Sequence, residues 1–284
     1  MTGSATTVGL LHPGSMGAAF GAQLRARGIT VLWCPHGRSE ATRRRAEQAG
    51  LEPAALSELV DRADMVLSLC PPAAAEAVAS EVAAHGFGGR PFVEANAISP
   101  DRLRRIAALL DGAQTIDGAV VGSPPVGGKT PTLYLAGAPG PTGAVQRIFV
   151  GTDIRTHDLG PEIGAASALK LAYSSYQKAS RVLAALAYGA AQVHGVGDEL
   201  LAIASKRRGS YLTETDYIPK AAARAWRWAP ELTDAAALLS DAGLPDELMT
   251  AAAQTLGRWD AARDLPLSVE EALAFLRRNP LSSE

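Results

Sequence analysis

The chain has 284 residues, of which 47% are hydrophobic and 20% charged, with a formal net charge of −2. That length is enough for two domains of ordinary size, and the balanced charge gives no reason to expect nucleic acid or a membrane surface as a partner. Two cysteines, five scattered histidines and no run of about 18 apolar residues predict a cytoplasmic protein without a disulfide framework, a metal site or a membrane span.

Residues 1–160 alternate short apolar runs with stretches of helical character. The predicted strands cover residues 7–11, 30–34, 65–69, 91–94, 115–121, 132–136 and 147–150. The predicted helices cover residues 16–27, 38–48, 53–62, 73–84 and 100–110. Strands that alternate with helices of this length predict βαβ units, and therefore a parallel, doubly wound α/β sheet.

The character of the sequence changes after about residue 160. Residues 163–193 contain no proline and are rich in alanine and leucine, which predicts one helix more than about 40 Å long. Its apolar residues are not confined to one stripe, so most of its faces must be buried, and we expect a homodimer through the C-terminal part. The remaining residues predict further helices with breaks near Gly209, Pro219, Pro230, 243–245 and Pro266.

A glycine-containing turn, residues 12–17 with the sequence His-Pro-Gly-Ser-Met-Gly, follows the first strand. A strand, a tight turn and a helix start let backbone N–H groups approach a pyrophosphate. Gly14 and Gly17 occupy the second and third places of G-x-G-x-x-G, and His12 occupies the first. We expect His12-Pro13 to stiffen the turn. Glycines after a strand are common turn residues, so the turn alone is a weak indication of a dinucleotide.

The end of the second strand indicates which dinucleotide is bound. NAD-binding folds carry an acid there for the ribose 2′-hydroxyl, but no Asp or Glu precedes Glu40 here. The turn offers His36, Arg38 and Ser39 instead, and a cation with a hydroxyl suits a 2′-phosphate. We therefore expect NADP (NADPH) in preference to NAD. The alternative is a solvated basic helix start.

Two further loops follow predicted strands, at the edge where a parallel sheet presents its ligand crevice. They contain Leu69, Cys70 and Pro71 after the third strand and Asn96 after the fourth, although both loops are equally compatible with simple strand termination. The full set of cofactor-binding candidates is His12, Pro13, Gly14, Ser15, Met16, His36, Arg38, Ser39, Leu69, Cys70, Pro71 and Asn96.

Four blocks in this order resemble the β-hydroxyacid dehydrogenase superfamily, which includes 6-phosphogluconate and 3-hydroxyisobutyrate dehydrogenases and related imine reductases. The blocks are residues 12–17, 96–100, 117–123 and 164–170. Residues 225–228 and 242–245 resemble a branch with a helical C-terminal domain called DUF1932. The resemblance implies a Rossmann-type domain over residues 1–160 and an all-α substrate and dimerisation domain over 161–284, joined by the long interdomain helix.

The resemblance also implies a chemistry. A hydride would pass between nicotinamide and a small hydroxyacid or carbonyl substrate, with Lys170 as general acid in reduction and general base in reverse. Ser123 and Ser174 would orient the substrate oxygen, and Gly122 and Tyr173 would help to bind the substrate. Without the resemblance, Lys170 would be interpreted as a surface residue with a buried stem.

The chain departs from the family pattern at three places. His12 replaces the first glycine, residues 122–125 replace Ser-Gly-Gly in the substrate loop, and Ser174 replaces an asparagine. Two alternatives therefore stay open. One is an imine reductase acting on a C=N bond, although such enzymes typically carry Asp or Tyr at the lysine position, and a cation disfavours an approaching iminium. The other is a non-catalytic NADP-binding sensor. The sequence does not name the substrate.

Overall fold

The computed structural model describes residues 6–206, 209, 211, 214–241 and 243–277. The chain forms two compact units, Met1–Ser175 and Tyr176–Glu284. A single helix, Ala165–Val193, begins in the first unit and ends in the second. The sequence-based boundary at residues 160 and 161 stays a prediction, because a helix that runs through both units offers no loop at which to divide them.

The first unit is built on an eight-stranded sheet. Its strands are β1 Thr7–Leu10, β2 Thr30–Trp33, β3 Glu52–Pro53, β4 Met65–Ser68, β5 Pro91–Glu94, β6 Gln114–Val121, β7 Thr132–Ala136 and β8 Arg155–Asp158. Their order is β3-β2-β1-β4-β5-β6-β7-β8, and every neighbouring pair is parallel except β6 and β7. The predicted Rossmann-type doubly wound fold is confirmed.

Helices cover both faces of this sheet. They are α1 Ser15–Ala26, α2 Glu40–Gln48, α3 Leu56–Arg62, α4 Ala75–Ala84, α5 Pro100–Leu109 and α6 Pro139–Phe149. Alternate residues of one strand face opposite sides of a sheet. Met65 and Leu67 accordingly pack in one apolar cluster, with Phe20 of α1 and Phe149 of α6. Val66 packs in the other cluster, with residues of α3, α4 and α5.

Several predicted elements of the first unit were wrong. Residues 147–150 are the end of helix α6 and its cap, because Val145 and Phe149 face the core one turn apart. The helix predicted over 53–62 begins only at Leu56, since Glu52 and Pro53 pair with β2. β8 was missed because its residues are mostly exposed and polar. The sheet is not wholly parallel, since ten residues between β6 and β7 suffice for a hairpin but not for a crossover.

The second unit is helical in its described residues. Helix α7, Ala165–Val193, is followed by α8 Gly197–Ala204, α9 Ile218–Asp241, α10 Glu247–Gly257 and α11 Val269–Arg277. The break predicted at Pro230 is absent from α9, and packing of Leu232, Ala236 and Leu239 near Met249 of α10 accounts for its continuity. Within the described ranges, no helix is long and apolar enough to cross a membrane.

Candidate functional site

Five parallel strands bring the predicted site residues to one edge of the sheet. β2, β1, β4, β5 and β6 are neighbours in that order and run in the same direction, so their carboxyl ends lie side by side. The segments that leave these ends are 34–39, 11–16, 69–71, 95–99 and 122–123. They contain all twelve cofactor candidates, together with Gly122 and Ser123. We call this region the carboxyl edge.

The glycine turn at the end of β1 is tightly folded. The N–H of Gly14 donates to the His12 carbonyl oxygen at 2.9 Å, and a Cβ on Gly14 would lie 3.2 Å from the His12 ring. Gly14 is the N-cap of α1, and no side chain caps the first turn of that helix. Ser15 and Met16 therefore offer backbone N–H groups at an uncapped helix N-terminus, which suits an anion.

Gly17 must be a glycine for steric reasons. A Cβ on Gly17 would overlap the His12 carbonyl oxygen, a backbone atom of the turn. We expect Gly17→Ala to lower the free energy of unfolding by about 3 kcal/mol and to abolish dinucleotide binding. Urea unfolding of both proteins measures the loss. Gly140→Ala in α6 is the matched control, since a Cβ there meets nothing within 4 Å, and an equal loss in both variants would contradict the steric account.

His12 and Arg38 each carry an unsatisfied polar atom beside this turn. His12 Nδ1 and Arg38 Nε are buried and have no hydrogen-bond partner among the described residues. Arg38 Nη2 donates to the Leu11 carbonyl oxygen at 3.2 Å. Burial, reinforced by the Arg38 and Arg45 charges, lowers the pKa of His12, so its imidazole is neutral at pH 7. Unsatisfied buried donors and acceptors point to a ligand with complementary groups.

Arg38 also lines a cavity beside the ends of β1 and β2. The cavity has a volume of about 520 Å³, and its polar wall includes His36, Glu81 and His85. Arg43 shapes the adjoining loop by donating to the carbonyl oxygens of Pro35 at 2.9 Å and Arg38 at 3.3 Å.

Ser39 has a structural task, since its Oγ accepts from the N–H of Thr42 and caps α2. A role for Ser39 toward a phosphate stays a prediction.

A buried polar cluster lies at the ends of β4 and β5. Asn96 Nδ2 donates to Ser68 Oγ at 3.0 Å and to Cys70 Sγ at 3.2 Å. The backbone N–H of Asn96 donates to Glu94 Oε1 at 3.0 Å. Glu94 is fully buried, and burial raises its pKa to about 7, with a smaller contribution from the nearby Asp117. These contacts fix the orientation of Asn96 at the carboxyl edge.

The raised pKa of Glu94 makes stability depend on pH. The folded chain keeps the Glu94 proton up to about pH 7, whereas the unfolded chain loses it near the ordinary glutamate pKa of 4.5. The contribution of Glu94 to stability is therefore fully present below the unfolded pKa. It is lost as the pH rises from there through the folded pKa, by about 3 kcal/mol in total. Glu94→Gln should remove this decline and be the more stable protein at pH 8. Urea unfolding at pH 5 and pH 8 measures it, and parallel declines in both proteins would contradict it.

Lys170 reaches the same edge from helix α7. Its Nζ donates to the Val120 carbonyl oxygen at 2.7 Å, next to the last residue of β6, and the side chain is half-buried. Tyr173 and Ser174 follow at i+3 and i+4 and share its helix face. Tyr173 is 39% exposed and Ser174 is buried. The structure thus brings Lys170 to the strand that leads into Gly122 and Ser123.

Asp117 anchors the start of α7 on β6. Its Oδ2 accepts from the N–H groups of Gly164 and Ser167, both at 3.0 Å, and its Oδ1 accepts from Ser167 Oγ at 2.6 Å. The carboxyl is fully buried, and burial raises its pKa against the opposing effect of these hydrogen bonds. Asp117 and Lys170 thus attach consecutive turns of α7 to the same strand.

The loop after β6 is held by contacts of Gly122 and Pro125, whereas Ser123 between them is exposed. Gly122 has φ of +124° and lies against Pro131, while Ser123 is exposed. Pro125 is buried, and its carbonyl oxygen accepts from Gln23 of α1 at 3.4 Å. A substrate role for Gly122 and Ser123 stays a prediction.

The carboxyl edge has the features that a nicotinamide dinucleotide needs. It combines an uncapped helix N-terminus, a glycine without room for a side chain at Gly17, and a half-buried guanidinium with an unsatisfied nitrogen. The helix N-terminus would suit a pyrophosphate, and the guanidinium would suit a 2′-phosphate. The described residues contain no group of three or more metal-ligating side chains.

Two family models and one known protein match parts of this chain. Residues 4–88 match the family model described as acetohydroxy acid isomeroreductase, NADPH-binding domain, and residues 191–259 match the domain of unknown function DUF1932. A 28.5 kDa protein of Methanothermus fervidus is 26% identical over 182 residues, which cover 64% of this chain and 69% of that protein. The predicted resemblance to DUF1932 is confirmed by this match, which includes residues 225–228 and 242–245.

Solved structures cover nearly the whole chain. An imine reductase from Pseudomonas sp. has a TM-score of 0.71 at 18% identity, covering 96% of this chain and 100% of its own. A conserved protein reported as similar to 3-hydroxyacid dehydrogenases has a TM-score of 0.58 at 22% identity with the same coverage. This chain shares the overall fold of these two proteins. A reductive aminase from Aspergillus terreus, in complex with NADPH and ethyl levulinate, shares that fold with a TM-score of 0.72 at 18% identity and the same coverage.

The sequence did not reveal two buried acids of this fold. Glu94 and Asp117 are register partners on β5 and β6, and the structure makes them central to the cluster around Asn96 and to the start of α7. Each acid lies in an otherwise apolar strand, and this is the sequence pattern that could have indicated it. Buried carboxylates are rare without partners, so such an acid is expected to have one. Their partners could not be named, since they depend on strand register and on how α7 packs on β6.

Proposed function

We propose that this chain is an NADP-dependent oxidoreductase that transfers a hydride between nicotinamide and a small hydroxyacid or carbonyl substrate, with Lys170 as general acid and base. The observation that carries the proposal is the 2.7 Å contact between Lys170 Nζ and the Val120 carbonyl oxygen, at the edge that holds the glycine turn. The match to an NADPH-binding domain and the reductase and dehydrogenase folds of the solved structures support an enzyme of this type.

Each residue has a role that follows from its chemistry. The nicotinamide, when bound, gives or accepts the hydride. Lys170 donates a proton to the substrate oxygen during reduction and takes it back in the reverse direction. Ser174 and Ser123 supply hydroxyl groups that orient that oxygen, and Tyr173 borders the substrate. The Val120 carbonyl keeps the ammonium at the end of β6.

The substrate class is tested with a panel under NADPH absorbance. The panel contains small hydroxyacids with NADP⁺, the matching ketoacids and aldehydes with NADPH, and cyclic imines with NADPH. We expect turnover of a hydroxyacid–carbonyl pair, because a cationic lysine repels an iminium. Turnover of the imines alone would favour the imine reductase alternative, and NADPH binding without any turnover would favour the sensor.

Arg38 gives a direct test of the NADP preference. Its guanidinium lines the cavity and has an unsatisfied nitrogen, so a 2′-phosphate would gain a charge-assisted hydrogen bond there. We expect Arg38→Ala to weaken NADPH binding by about 10- to 100-fold and NADH binding by much less. Titration calorimetry with both cofactors measures this. Arg44→Ala removes an exposed cation of α2 and should change neither affinity. Equal weakening of both cofactors in Arg38→Ala would contradict the preference.

We also propose a homodimer through the helical unit. Large apolar side chains at the end of α7 and along α8 are exposed, among them Val193 at 61% and Ile203 at 67%. Exposed apolar residues so close together in sequence are typical of an interface. Light scattering of the purified chain should give twice the monomer mass, and a monomer at all concentrations would contradict the proposal.

A further inference from the structure

The buried cluster of Ser68, Cys70, Glu94 and Asn96 has no part in the hydride and proton transfer proposed above, although Cys70 and Asn96 are cofactor-binding candidates. All four side chains are less than 10% exposed, and they lie where β4 and β5 end at the carboxyl edge. Buried polar groups are costly unless they are fully hydrogen-bonded, so a cluster of this kind needs an explanation.

Asn96 is held in one orientation by this cluster. Its side-chain nitrogen donates to Ser68 and Cys70, and its backbone N–H donates to Glu94. These donors of Asn96 are thus committed inside the protein. Glu94 holds the backbone of this residue, since its Oε1 accepts from the Asn96 N–H at 3.0 Å.

Glu94 is a buried acid without a compensating cation. Its Oε2 has no hydrogen-bond partner, and no cationic side chain of the described residues pairs with it. The titratable groups that face it are both acidic, Asp117 on β6 and Cys70 after β4. Since Asp117 is committed to the start of α7, the site would gain most from a positive charge supplied by a ligand.

The nicotinamide ring provides such a charge in only one of its two states, because the oxidised ring is a cation and the reduced ring is neutral. We propose that Glu94 selects between the two states, favouring the oxidised cofactor when it is ionised and the reduced cofactor when it is protonated. This inference rests on the proposed function. It adds that the carboxyl releases a proton to solvent when the oxidised cofactor binds and retains it when the reduced cofactor binds.

Three observations support Glu94 in this role. It lies at the strand ends that form the cofactor edge, it contacts the backbone of Asn96 directly, and its pKa of about 7 lets either state be populated near neutral pH. Glutamine has the same shape as the protonated acid and cannot ionise, which provides a suitable variant.

The test compares the Kd of NADP⁺ with that of NADPH between pH 6 and 8.5 by titration calorimetry. The 2′-phosphate is common to both cofactors, so its titration cancels in the ratio. For the wild-type chain, the ratio of Kd for NADP⁺ to Kd for NADPH should fall about fivefold over this range. In Glu94→Gln the ratio should be flat and close to the wild-type value at pH 6. The exposed Glu47→Gln on α2 is the matched control and should behave as wild type.

A second measurement does not depend on any variant. Calorimetry in two buffers of different ionisation heat counts protons, and wild-type protein near pH 6.5 should release about half a proton more on binding NADP⁺ than on binding NADPH. A flat wild-type ratio, or an unchanged pH dependence in Glu94→Gln, would overturn the role of Glu94 while leaving the cofactor site intact. Failure of both cofactors to bind would instead overturn the proposed function.

Discussion

Lys170→Met should lower kcat by about 10³-fold on the substrate found in the panel, within the range of general acid–base catalysis. Methionine fills a similar volume without a proton to give, so the half-buried stem keeps its packing and the reaction loses its acid. The dissociation constant of NADPH should change less than threefold, about the change expected when no cofactor contact is lost. Steady-state kinetics and titration calorimetry measure the two effects separately.

Two controls make this result specific. Lys206→Met removes an exposed lysine and should leave kcat unchanged. The pH profile of kcat should lose one limb in Lys170→Met, because that limb reports the acid itself. If kcat and its pH profile stay as in wild type, Lys170 is a surface lysine and the catalytic assignment is wrong.

Asp117→Ala should destabilise the first unit by about 3–5 kcal/mol, the range seen when a buried charged network is broken. The substitution leaves the N–H groups of Gly164 and Ser167 and the Ser167 hydroxyl without their acceptor in a fully buried place. It also releases the start of α7, one turn before Lys170. We therefore expect kcat to fall as well, even where the protein is still folded.

A graded series separates this account from a general loss of packing. Asp117→Asn keeps one carbonyl oxygen and should lose less stability than Asp117→Ala. Ser167→Ala removes a single hydrogen bond and should lose about 1 kcal/mol. Urea unfolding gives the three values. Equal losses in all three variants would contradict the proposed anchoring of α7 by Asp117.

The sequence predicted those parts of the fold that depend on local patterns. Apolar runs, glycine ends and the proline-free stretch over 163–193 were sufficient for the strands β1, β2 and β4–β7 and for α7. β8 is an exposed polar edge strand, and its pairing depends on β7 rather than on its own residues. Similarly, Pro230 lies inside α9, where packing against α10 outweighs local propensity.

The candidate site was predicted residue by residue but not as a network. The turn at 12–17 and Arg38 could be proposed from the sequence because spacing and charge carry the signal, and their role toward a cofactor stays a prediction. The contacts between Glu94 and Asn96, and between Asp117 and Ser167, join residues that meet only once the strand order and register are set. Ser39 has a further task that the sequence analysis did not predict, since the structure uses it to cap α2.

The central claim is that the carboxyl edge binds a nicotinamide dinucleotide, and thermal unfolding with and without NADPH tests it most directly. At a concentration about 100 times its Kd, NADPH should stabilise the chain by about 2.7 kcal/mol, which raises Tm by roughly 5–10 °C for a domain of this size. NADH should give a smaller shift at the same concentration. An unchanged Tm with both cofactors, together with no heat of binding, would contradict the account.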